Sequence, residues 1–172
     1  MMRLLLDVPG IQLNMKDGND MTPLYKAVEI NSLPCVKLLV EAGAKVRIPC
    51  RDGRTLVEYA LMEFGDTCFP AIEYLYRERG LRDEHHADDH MTLLHRITLV
   101  KSHIPIEKSL DMMIDCGADV DALEGNGRTP LILATMADRA DMVYTLLRSF
   151  AEVDIYDKSL KNAIRYAKEN SE

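Results

Sequence analysis

A threonine followed five residues later by an alanine or apolar residue recurs along the chain at nearly fixed intervals. The copies are Thr22 with Ala27, Thr55 with Ala60, Thr92 with Ile97 and Thr129 with Ala134, and Asn162 with Ala167 is a degenerate fifth. Their spacings are 33, 37, 37 and 33 residues. A period of this size implies an array of like units, each too small to bury its apolar side except against a neighbour. The sharpest copy is Gly127-Arg128-Thr129-Pro130-Leu131-Ile132-Leu133-Ala134. Thr129 suits a helix N-cap, its hydroxyl accepting a first-turn N–H, and Pro130 suits the first helical position, where a missing N–H costs nothing. Leu131 and Ala134 then face inward.

Superposing the copies reads residues 1–172 as one array. It has a partial unit at 1–16, full units at 17–49, 50–86, 87–123 and 124–156, and a partial terminal unit at 157–172. In the first full unit, Thr22-Pro23-Leu24-Tyr25-Lys26-Ala27 starts one short helix, and Leu33 to Val40 forms a second that Gly43 ends by taking the left-handed conformation, as Gly117 does two units on. With Thr92-Leu93-Leu94-His95 and Gly117-Ala118-Asp119-Val120-Asp121-Ala122, these elements resemble the ankyrin repeat, whose unit reads Gly-x-Thr-Pro-Leu-His-x-Ala, a second helix with Leu-Leu, then Gly-Ala-Asp-Val-Asn-Ala. The resemblance spans almost the whole chain. It implies an all-α solenoid of stacked helix-turn-helix units with projecting β-hairpin fingers.

Departures from that pattern carry expectations of their own. From Thr55 to Gly80 and from Thr92 to Gly117 there are 25 residues, against 21 from Thr22 to Gly43. Both middle units therefore hold four extra residues, about one helical turn, placed at Phe64–Thr67 and Val100–His103. Their equal size and adjacency suggest one shared bulge. Phe150 stands where the terminating Gly belongs, and because a left-handed Phe is strained, that helix is expected to end differently. Leu4-Leu5-Leu6 reads as the second half of a unit whose inner side is bare, as though the array were cut from a longer one, and the polar stretch from Asp157 to Asn170 reads as a partial cap.

Composition narrows the function. With 28 acidic against 21 basic residues the net charge is −7, which repels nucleic acid and anionic lipid, and no Trp and few other aromatics are present to stack on bases. No stretch reaches the roughly 18 apolar residues of a membrane span, and Asp7 interrupts the opening leucines before they could serve as a signal peptide. Cys35, Cys50, Cys68 and Cys116 show no Cys-x-x-Cys pairing, which favours reduced thiols and an intracellular, cytoplasmic location, the nucleus being left open.

Reactive constellations are sparse. His85, His86, Asp88, Asp89 and His90 are the densest set of potential metal ligands, and a metal-dependent switch or enzyme built on this finger is the alternative reading. A hairpin splays neighbouring side chains apart, so a solvated turn is favoured. His95 occupies the Thr-Pro-Leu-His position, where its imidazole ties the turn together. Gly125-Asn126-Gly127 lacks the rest of a phosphate loop, and Asp119-Val120-Asp121 lacks the glycine and glutamate of a calcium loop. No catalytic residue, cofactor or metal site is expected.

What remains is the surface. The resemblance implies that partners are gripped by finger tips and the exposed side of each first helix. By position this gives Met21, Arg54, Met91, Arg128 and Lys161 just before each cap, and Ile30, Met62, Leu99, Val100 and Met136 seven or eight residues after it. A Met/Ile/Val strip beside Arg54 and Arg128, the arginines available for carboxylates, reads as a non-catalytic protein-interaction face of a scaffold or regulatory module. Its expected occupant is a helix or extended segment of a protein, either a separate partner or another part of the same parent polypeptide.

Overall fold

Each recurrence of the capping residue starts a helix, and after each of the four threonines a second helix follows. The computed structural model describes residues 11–50, 52–79, 90–99 and 105–170. Their helices are α1 (Pro23–Glu29), α2 (Leu33–Glu41), α3 (Leu56–Phe64), α4 (Phe69–Glu73), α5 (Leu93–Leu99), α6 (Glu107–Asp115), α7 (Pro130–Met136), α8 (Ala140–Arg148) and α9 (Ala163–Asn170). A 3-10 turn at Gly65–Cys68 joins α3 to α4, and a π-helical turn at Tyr74–Glu78 extends α4. Among the described residues the chain is all-α.

Contacts divide it into two compact units, Met1–Arg79 with Ile104–Ile106 and Gly80–His103 with Glu107–Glu172. In the first, α1 packs on α2 and α3, and α2 on α4. Its core is Leu24, Tyr25, Val36, Leu56, Leu61, Ile72 and Leu75, all at most 1% exposed. In the second, α7 packs on α5, α8 and α9 around Leu94, Met113, Leu131, Ile132, Ala134 and Leu146. Met112, Met113 and Met142 are buried, filling the gaps between helices.

The caps are not equivalent. Thr55 accepts from the Glu58 amide and Glu58 reaches back to the Thr55 amide, a reciprocal capping box. Thr129 caps the Ile132 amide at 3.2 Å, and Asn162 caps the Arg165 amide at 3.0 Å. Thr22 is buried at the same position, yet its hydroxyl makes no hydrogen bond.

Four of the fingers are single tight turns rather than laddered hairpins, and no strand occurs among the described residues. One backbone bond closes each: Asp17 N–H to Met21 at 2.9 Å, Cys50 to Arg54 at 3.0 Å, Glu124 to Arg128 at 3.0 Å and Asp157 to Lys161 at 2.9 Å. So short a loop needs a left-handed residue two places before the cap. Gly53 and Gly127 supply it without strain, whereas Asp20, His90 and Leu160 adopt φ of 60°, 56° and 58°.

Phe150 corrects the expectation set by its bulk. Its φ is 63°, and the amides of Phe150 and Ala151 bond the carbonyls of Leu147 and Leu146. Gly43 with Ala44, and Gly117 with Ala118, bond the corresponding carbonyls, so the helix ends as its counterparts do. Two backbone bonds outweigh the left-handed penalty, and the ring projects into solvent, 90% exposed.

The first four-residue insertion both lengthens the first helix, α3 having nine residues against seven in α1, and adds the 3-10 turn. The Asp66 amide of that turn donates to the Pro105 carbonyl at 2.7 Å, next to the place expected for the second insertion. Residues 101–103 and Val100 of that insertion, and the Leu4-Leu5-Leu6 run, lie outside the described residues.

Phe150→Gly should raise stability by roughly 0.5–1 kcal/mol, relief of left-handed strain exceeding the extra chain entropy of glycine. Phe150→Ala retains the strain and should change it little; urea midpoints of the two variants separate these outcomes. By the same measurement Thr129→Ala should cost about 1 kcal/mol. Thr22→Val should be neutral or stabilising, since the hydroxyl it removes is buried without a partner.

Candidate functional site

In two of the units the finger and first-helix side is held in place by the residue three positions after the cap. Tyr25 stands there in the first full unit, and its hydroxyl donates to the Arg54 carbonyl of the following finger at 2.9 Å. Burial raises its pKa, keeping the phenol protonated as that bond requires. His95 occupies the position two units on and is fully buried. Its Nε2 lies 3.0 Å from the Arg128 carbonyl, which can only accept, so Nε2 carries the proton and Nδ1 accepts the Thr92 amide at 3.1 Å. The tie expected within one turn thus also spans two successive fingers. The pattern Tyr-for-His was open to reading in the sequence, because both aromatic side chains end in a donor at similar reach.

A second tie repeats behind the fingers. Asn14 Oδ1 accepts the Lys45 amide at 2.7 Å, and Asp121 Oδ1 accepts the Glu152 amide at 2.9 Å, each bond crossing 31 residues. Sequence reasoning missed this ladder, although Asn14 and Asp121 share the position eight residues before a cap.

Within the first unit these ties frame an open cleft of about 490 Å³, lined by residues that include Met21, Lys26, Glu29, Cys50, Arg54 and Tyr59. Met21 contributes only an edge, being 7% exposed. Tyr59 forms an aromatic cluster with Tyr25 and Phe64, with ring centroids 5.5 and 5.8 Å away. Arg54 lies over the Tyr59 ring at 5.5 Å, ion-pairs with Asp52 at 2.5 Å and Glu63 at 2.8 Å, and has Nη1 3.8 Å from the Met62 sulfur. The hydrogen bond from Arg54 draws the Asp52 carboxyl down to about 2. Arg54 is therefore already occupied by two carboxylates. Ile30, at the end of α1, is 69% exposed.

In the second unit Arg128 is part-buried, with Nε 3.5 Å from Asp157, and Lys161 pairs with Glu169 at 2.6 Å above the Tyr166 ring. Leu99 and Met136 are exposed at 46% and 39%, and Met91 is half-buried. The structure thus brings Met21, Arg54 and Met62 together, leaves Ile30, Leu99 and Met136 open to solvent, and does not describe Val100. Burial pushes the Cys68 thiol up to about 11, and burial also raises Cys50, which donates to Asp52 Oδ1 at 2.6 Å; neither is an activated nucleophile. Of the His85–His90 ligand set only His90 lies within the described residues.

A family profile described as "Ankyrin repeats (3 copies)" matches residues 1–83, and one described as "Ankyrin repeat" matches 126–158, together more than half of the chain. The chain belongs to the ankyrin repeat family. Human transient receptor potential cation channel subfamily A member 1 is 31% identical over 154 residues, 88% of this chain and 13% of the channel. The mouse B-cell lymphoma 3 protein homolog is 31% identical over 148 residues, 85% of this chain and 32% of the relative. Protein lin-12 of Caenorhabditis elegans is 37% identical over 86 residues, 46% of this chain and 6% of the relative. The chain spans a third or less of each. Ankyrin repeats mediate protein–protein interactions and are generally not catalytic, which supports an interaction module here. No helix among the described residues is long and apolar enough to cross a membrane.

The Asp52–Arg54 contact gives a pH signature. Asp52 titrates lower in the folded than in the unfolded chain, so its contribution is complete above about pH 4 and is lost as pH falls toward about 2. Wild type should exceed Asp52→Asn in stability at neutral pH, and the gap should close over that interval in denaturation midpoints measured against pH.

Proposed function

We propose that this ankyrin repeat chain is a non-catalytic scaffold or regulatory module that holds a protein segment against its finger and first-helix side. The observation carrying this reading is the open cleft beside Met21 and Tyr59, with exposed Ile30 on the same first-helix row. A groove with an aromatic and thioether lining and a polar rim suits a helix or an extended segment. The occupant belongs either to a separate protein or to another part of the parent polypeptide, within the cytoplasm or nucleus. In the second unit, taken by itself, Leu99, Met136, Arg128 and Lys161 occupy the corresponding positions and form its proposed partner-binding set, with Met91 at its edge.

A photo-crosslinking residue placed at Ile30 should give adducts with a protein from the source cell at several-fold higher yield than one at Glu41, an exposed position on the second helix. Equal yields from the two positions would remove the first-helix side as the binding face.

A further inference from the structure

Phe150 marks a surface on the second-helix side of the second compact unit. It takes a positive φ of 63° where Gly43 and Gly117 end their helices without strain, and its ring stands in solvent. The ring costs stability and returns none within the fold, the pattern of a residue that serves contact. Tyr144 and Leu147 precede it on α8 at three-residue steps, and both are exposed. The three side chains form an apolar stripe that runs off the end of the helix.

The charge around this stripe has one sign. Residues 111–123 and 144–156, the ends of α6 and α8 with the segments that follow them, hold six carboxylates and one cation. The carboxylates are Asp111, Asp115, Asp119, Asp121, Glu152 and Asp154, and none is buried. Arg148, the cation, is already held by Asp111 at 2.6 Å. Asp121 Oδ1 accepts the Glu152 amide at 2.9 Å, which sets the two trailing segments side by side. The opposite ends of both helices, residues 105–110 and 138–143, add Glu107, Asp138 and Asp141 against Lys108 and Arg139. The whole then holds nine carboxylates against three cations. The lysines of the last finger are engaged, Lys158 with the Gly125 carbonyl at 2.7 Å and Lys161 with Glu169 at 2.6 Å.

Two copies of this surface laid face to face repel each other, and nucleic acid is repelled as well. A cationic side chain instead meets both the carboxylates and the faces of Tyr144 and Phe150, whose π-systems attract it.

We propose that the stripe of Tyr144, Leu147 and Phe150 docks a basic protein segment, with a large apolar side chain on Leu147 and Phe150 and Lys or Arg side chains toward Asp115, Glu152 and Asp154. The cleft beside Tyr59 belongs to the first compact unit, so this surface stands whether or not that cleft binds a partner.

The test is selection of a phage-displayed random 12-residue peptide library on the full chain, with peptides that also bind Phe150→Gly removed. Enriched peptides should carry more Lys plus Arg than Asp plus Glu and should shift the NMR amide signals of Leu147, Phe150 and Glu152. Their affinity should fall about tenfold in Phe150→Gly although that variant unfolds at higher urea, a combination that a purely structural ring would not give. Asp115→Lys/Asp154→Lys, with circular dichroism unchanged, should weaken binding by a similar factor, as should added salt in wild type. Acidic or uncharged peptides shifting the same amides would overturn the charge assignment. Peptides that shift other amides, no enrichment, or sedimentation showing that wild type self-associates where Phe150→Gly does not, would overturn the proposal.

Discussion

The structure depends on one hydrogen bond made in two chemistries. The carbonyl just before a cap sits at the base of a finger, where a tight turn leaves it without a helical partner. Tyr25 donates to that carbonyl at Arg54, and His95 donates to it at Arg128. Each donor is buried in its own first helix and reaches the finger of the following unit, so the bond fixes both the spacing and the rotation of neighbouring units. The carbonyl already closes its own finger by accepting the Cys50 or Glu124 amide, so what a different stacking would strand is a buried donor: the His95 Nε2–H left unpaired would cost about 1–3 kcal/mol. The Asn14 and Asp121 bonds to the Lys45 and Glu152 amides impose the same 31-residue step behind the fingers. The finger at Cys50–Arg54 is tied at both places, through its Arg54 carbonyl and through the Lys45 amide that precedes it, so its side chains project from a fixed frame, as a recognition surface requires.

That frame overrides local preference. At the position two places before the cap the closed turn demands positive φ, and Asp20, His90 and Leu160 take it although only glycine does so freely. Phe150 shows the same hierarchy at the end of α8. A penalty of about 1–2 kcal/mol at one residue is smaller than the loss of the two backbone bonds and the contacts that position the next finger. Register is a property of the array, and individual residues are strained into it.

This explains what the sequence disclosed. The period, the caps at Thr55 and Thr129 and the glycine stops follow from nearest-neighbour chemistry and were legible. So was the extra turn after Phe64, from its length alone. The conformation of Phe150 was misjudged because local strain was weighed without the longer-range bonds that compensate it. The Thr22 hydroxyl was also illegible, since capping depends on the rotamer the surrounding core permits. The candidate face was legible as a set of positions, but burial decides which of them can touch a partner: Met21 is nearly closed off, while Ile30 stands free.

The charge of the face was the hardest property to read. A sequence shows Arg54 as an isolated cation two residues from Asp52, and its availability depends on where Glu63 points. α3 is two residues longer than α1, and Glu63 lies in its last turn. From there the carboxylate reaches Arg54 at 2.8 Å while the guanidinium lies over Tyr59, itself on the same helix one turn earlier. Glu63 stands eight residues after its cap, where the shorter unit has Ile30, so the residue at this shared position, and not the insertion that follows it, engages the finger arginine. Whether a finger cation is free for a partner is therefore decided by a residue on the following helix, nine places further along the chain.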